Sequence, residues 1–132
     1  MFERDTVVSA ALCLSLFLFA SCARTVQPVG RAGWDKIEFD LGQLDDDGLC
    51  GPAEGKVSLA YEFAIPNTGA ARAQVAAIDP TVQFMPSSAG RIGARKDQCL
   101  CIGETHQADY RKTLQALATL PFIDRIIQCH FE

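Results

Sequence analysis

The segment KVSLAYEFAI, residues 56–65, sets Val57, Leu59, Tyr61, Phe63 and Ile65 against Lys56, Ser58, Ala60, Glu62 and Ala64. Successive side chains of an extended chain point to opposite faces, so the apolar set lines a single face. The segment reads as a half-buried strand, and its neighbours must supply something to bury that face. Immediately after it, Pro66-Asn67-Thr68 closes the strand, and Thr68 offers a helix N-cap. The stretch GAARAQVAAID, residues 69–79, puts Ala71, Val75 and Ile78 on one helical face, and Pro80 ends it.

The same reading extends along the chain. TVQFM, 81–85, is a short strand, and PSSAGRIGARKD, 86–97, is a polar loop. QCLCIG, 98–103, is a strand. Thr105 can cap a helix over HQADYRKTLQALATL, 106–120, whose stripe is Tyr110, Leu114, Leu117 and Leu120 and which Pro121 stops. Residues 124–131 form a last strand. Upstream, residues 34–41 alternate Ile37, Phe39 and Leu41 with Lys36, Glu38 and Asp40, an extra N-terminal strand, and DDDGLCGPAEG, 45–55, is rich in turn residues. From residue 56 the order is strand, helix, strand, strand, helix, strand. This predicts an α+β, ferredoxin-like fold: a split βαβ arrangement with an antiparallel four-stranded sheet and two helices on one face. Strand 56–65 would be central, between 98–103 and 124–131. Residues 34–132 make a single domain.

The N-terminus MFERDTVVSAALCLSLFLFASCAR carries an apolar run over residues 7–20. A spanning helix needs about 20 apolar residues, so the run suits a signal-peptide core better than an anchor. Phe19-Ala20-Ser21-Cys22 follows at once. This resembles the lipobox of bacterial lipoproteins, with Phe19 where the family usually has Leu. The resemblance implies that residues 1–21 are a cleaved signal peptide. Cys22 would be the lipidated first residue, bearing fatty-acyl chains such as palmitate, and residues 22–33 would be a tether. It also implies a cell-envelope location with the membrane as a partner through those chains. Ala23, where retention signals have Asp, favours a periplasm-facing outer-membrane position if the cell is Gram-negative. The alternative is an ordinary secretory signal cut near Ala23.

With 12 basic and 16 acidic side chains the chain is mildly acidic, and no basic run exceeds Arg95-Lys96, which argues against nucleic acid as a partner. No Ser/His/Asp set, P-loop or dinucleotide fingerprint is present, and two histidines leave hydrolytic chemistry little to draw on. The expected function is non-enzymatic, a binding or assembly module for an envelope protein or a small ligand, with no cofactor.

In an exported chain cysteines favour disulfides. If Leu100 and Ile102 face the helices, Cys99 and Cys101 face away, while Ile127, Cys129 and Phe131 read as core. Strands flanking a central one stand roughly 9.6 Å apart, and a disulfide tolerates about 7 Å between Cα atoms. Cys129 is therefore expected to be buried and unpaired, and Cys50, in the turn-rich segment, to bridge Cys99 or Cys101. The rival reading is a thiol-redox or metal-binding site, in which Cys99, Cys101 and His106, with His130 as a further donor, hold Cu or Zn. Arg91, Arg95 and Lys96, spaced among glycines, form a possible anion-binding loop; the plainer reading is a solvated hairpin loop.

Overall fold

Tyr61, Phe63 and Ile65 are fully buried in the computed structural model, which describes residues 33–131. They lie on β3 (Ala60–Pro66), which with β5 is one of the two seven-residue strands of a four-stranded antiparallel sheet in the order β4–β5–β3–β6. Its other strands are β4 (Gln83–Met85), β5 (Gln98–Glu104) and β6 (Ile127–Cys129). A separate two-stranded antiparallel ribbon pairs β1 (Leu49–Cys50) with β2 (Val57–Ser58). Two helices, α1 (Gly69–Ile78) and α2 (Tyr110–Thr119), complete an α+β architecture. Strand β3 lies between β5 and β6, as the order of strands and helices along the chain led one to expect.

Both helices bury their apolar stripes against one face of the sheet. Ala71 and Val75 of α1 and Leu114, Leu117 and Ala118 of α2 share a core with Tyr61, Phe63 and Ile65. Each fully buried leucine is worth roughly 1.5–3 kcal/mol over its exposed state. The Thr68 hydroxyl accepts from the Ala71 amide at 3.2 Å, so α1 starts at its expected cap. Helix α2 is shorter than residues 106–120. The Thr105 hydroxyl is occupied within the sheet, donating to Gly48 O at 2.6 Å and accepting from Leu59 N at 2.9 Å. The helix begins instead after Asp109, whose φ of 53° breaks the run. The same engagement splits the expected strand 56–65 into β2 and β3 at Leu59.

The thiol strand is turned over relative to expectation. Cys101 lies opposite Phe63 and Cys99 opposite Ile65, so both cysteines face the helices and are fully buried. Leu100 lies opposite Ala64 and Ile102 opposite Glu62, on the other face. That face is not bare: the loop 86–97 folds over it, and a Cβ on Gly90 would stand 2.7 Å from Leu100. Leu100 is thus buried beneath a loop, and apolarity alone could not say which side of β5 carries the helices. The last strand is inverted in the same way. Cys129 opposes Ala60 and Ile127 opposes Glu62, so both face away from the helices; Phe131 is 75% exposed, and the buried residue is Ile126. Cys129 is half-buried rather than buried.

The extra N-terminal strand does not form. Residues Gly33–Lys36 and Leu41–Gln43 are 3-10 turns, the second held by the Asp40 carboxylate, which accepts from Gly42 N at 2.8 Å. Between them a single parallel bridge joins Ile37 to Ile126. Ile37, Phe39 and Leu41 still pack against the core, so their apolar spacing is used without a ladder. The expected signal peptide 1–21, Cys22 and the expected tether up to residue 32 lie outside the described residues.

Candidate functional site

Ala60 is the small residue in a row of three that crosses the helix-free face: Glu104 on β5, Ala60 on β3 and Cys129 on β6. Its short side chain leaves a hollow between taller neighbours. The resulting cavity, about 390 Å³, is walled by Ile102, Cys129 and Phe131, by Ser58, Thr81, Gln83 and Gln128, and by Cys50 and Val57 of the ribbon. That volume lies in the range of small-molecule sites. Val57 is 59% exposed at its rim, and Phe131 stands out beside it. Large apolar side chains in water beside a hollow are the feature to explain. The loop 86–97 covers only the other half of this face. It is strapped down by the Ile92 amide, which donates to the buried Glu62 carboxylate at 2.6 Å.

Two polar groups shape the site from beneath. Asp79, at the end of α1, is almost fully buried, and its carboxylate accepts from the Tyr61 hydroxyl, from Thr81 N at 2.9 Å and Oγ1 at 2.7 Å, and from Gln107 Nε2 at 3.3 Å. Burial, then the adjacent Asp79 charge and hydrogen bond, push the Tyr61 hydroxyl far above the usual phenol range. With its oxygens saturated by donors, Asp79 is a structural clamp that fixes Thr81 at the cavity wall. Thr81 Oγ1 in turn accepts from Glu104 N at 3.2 Å. Burial, and secondly the hydrogen bond to Glu62, raise the Cys129 thiol above its ordinary value, while the Arg91 charge opposes them.

The thiols expected to act together are dispersed. The four described cysteines are free thiols, so the bridge from Cys50 to Cys99 or Cys101 is not formed. Its premise was that Cys99 and Cys101 face away from the helices, and the register reverses that. Cys129 does lie on the opposite face from Cys99 and Cys101, because both strands are inverted together. Burial, and secondly the neighbouring Cys99, push the Cys101 thiol well above the usual thiol range, which disfavours the thiolate that a metal needs. His106 is exposed beyond the end of β5, with Nδ1 3.1 Å from Asp47 O, and His130 is exposed past β6. Among the described residues no group of three His, Cys, Asp or Glu side chains is placed to hold a metal ion.

The basic loop is only partly gathered. Arg95 and Lys96 line a shallow hollow of about 250 Å³ with Ser87 and Ser88. Arg95 Nε is paired with Asp97 at 3.3 Å, and Arg91 is not among the residues lining this hollow. The acidic turn is self-contained: Asp45 accepts from the Asp47 and Leu49 amides and pairs with Lys56 at 2.7 Å.

Sequence reading missed Ser58, Thr81, Gln83, Glu104 and Phe131 as wall residues. The available signal was Ala60 and Ala64 alternating with large apolar residues: small side chains on a strand face leave room above them. Among the described residues no helix is long and apolar enough to cross a membrane. Comparison with protein families, with curated proteins and with solved structures finds no match to this chain.

Proposed function

We propose that the protein is a bacterial envelope lipoprotein, tethered through acylated Cys22, whose domain is a non-enzymatic binding module. The cavity above Ala60 is its site, and its ligand is a small molecule. The observation that carries this reading is the cavity itself, with Val57 and Phe131 exposed at its edge. The saturated Asp79 and the raised thiols Cys101 and Cys129 supply no activated nucleophile, which supports binding over catalysis. The lipobox-like Phe19-Ala20-Ser21-Cys22 supports the tether. A ferredoxin-like assignment is supported by the strand order β4–β5–β3–β6, by antiparallel pairing throughout, and by the two helices sharing one core.

Two measurements test the halves separately. Fatty-acid labelling should mark the protein in bacterial cells, and Cys22→Ala should abolish the label and release the protein from membranes; unchanged labelling sinks the tether. For the module, a small-molecule screen read by amide chemical shifts should produce hits clustered at residues 57–60, 102–104 and 128–131. Hits scattered over the surface would remove the cavity as the site.

A further inference from the structure

We infer that the cavity takes a ligand with an apolar body and a single cationic head, an aliphatic or aromatic amine, with Glu104 as its counter-ion. The inference deepens the binding reading above and rests on it. Of the described residues that wall the cavity, Glu104 is the one with a charged side chain. Its carboxylate accepts from Ser58 Oγ at 3.2 Å, and no cation pairs with it among the described residues. The acids Asp45, paired with Lys56, and Asp97, paired with Arg95, do not line the cavity.

The register places the charge where a head group would lie. Glu104 stands directly beside Ala60, and Thr81 holds the Glu104 backbone from the outer side. An apolar body lying over Ala60 and Ile102 toward Cys129 and Phe131 therefore ends at the carboxylate. A cation there gains a charge-assisted hydrogen bond, whereas an anionic head meets a like charge. Glu104 is exposed, so solvent screens the attraction and limits it to that of a surface ion pair. The expected preference is about two- to fivefold over a neutral ligand with the same body, decreasing as salt rises.

The test titrates the protein with octylammonium, octyl glucoside and octyl sulfate, each below its micelle concentration, following the amides of residues 58–60 and 102–104. The expected order of affinity is cation, neutral, anion. Glu104→Gln, which keeps the Ser58 hydrogen bond and should fold, levels the first two, and so does high salt. Equal affinity of cation and neutral ligand for the native protein, or an order that survives Glu104→Gln, overturns the inference and leaves the cavity as a site. If none of the three shifts these amides while the spectrum remains that of a folded protein, the binding reading fails and the inference with it. Ala60→Phe, which fills the hollow, should abolish binding of all three; binding that persists places the ligands outside the cavity and overturns both.

Discussion

At Gly103 the backbone of β5 passes so close to the Asp79 clamp that an added Cβ would lie 2.8 Å from Asp79 Oδ2 and 2.8 Å from the Tyr61 ring. Gly103→Ala should cost about 1–3 kcal/mol by overpacking. Gly48 is more constrained: its φ is +74°, and a Cβ would fall 1.9 Å from Thr105 O. Gly48→Ala should therefore be the more damaging, and Gly55→Ala, with nothing within 4 Å, close to neutral; denaturant titration ranks them. The buried acids predict an alkaline limit. Cys101 and Tyr61 hold their protons more tightly in the folded protein than in the unfolded chain. The unfolded chain then releases protons first as pH rises, so stability present below about pH 9 for Cys101, and below about pH 10 for Tyr61, declines above those values. Each contributes a slope of roughly 1.4 kcal/mol per pH unit at most. Unfolding free energies measured between pH 7 and pH 11 check this, and Cys101→Ala should remove the component that begins near pH 9. Native thiol labelling should rank Cys50 first, Cys129 slower because its thiolate is disfavoured, and Cys99 and Cys101 silent until unfolding. The orientation of this strand was the least legible feature of the sequence. Cys99, Leu100 and Cys101 are all buried, and alternation conveys a face only where one side meets water.

Strand β3 is hydrogen-bonded on both sides, to β5 along its length and to β6 over residues 60–62. Its amides should exchange slowest in native-state hydrogen exchange, with β4 and the β1–β2 ribbon faster. Better protection in β6 than in β3 would contradict the strand order. Thr105 joins the ribbon to the main sheet through its two side-chain hydrogen bonds. Thr105→Val keeps the shape, strands the Gly48 carbonyl and the Leu59 amide, and should cost about 1–3 kcal/mol with faster exchange concentrated in residues 48–59. Helix α1 was legible because its ends are written locally, in Thr68 and Pro80. The start of α2 was not, because the residue that looked like a cap serves a tertiary partner 57 positions away. The N-terminal strand failed for a related reason. Alternation at Ile37, Phe39 and Leu41 reports burial, but a strand also needs a partner edge, and here the pairing is a single bridge to Ile126, just before β6.

Among the described residues the buried core runs from Leu44 to Ile126. Protein beginning at Gly33 should unfold in one cooperative transition, as scanning calorimetry would show. At this scale the α+β architecture was legible from periodicity, and the central strand from the order of the elements. The cavity was not, because it arises where three strands and the ribbon meet and no single segment encodes it. The position of Cys99 and Cys101 under the helices has a consequence in time. If the chain is exported, as proposed above, it crosses the membrane unfolded, with both sulfurs open to whatever oxidant it meets. Once α1 and α2 dock, the sulfurs are sealed in and inert. Any oxidation found at those two positions thus dates from before the fold closed, and the ratio of oxidised to reduced protein compares the rate of folding with the rate of chemical attack.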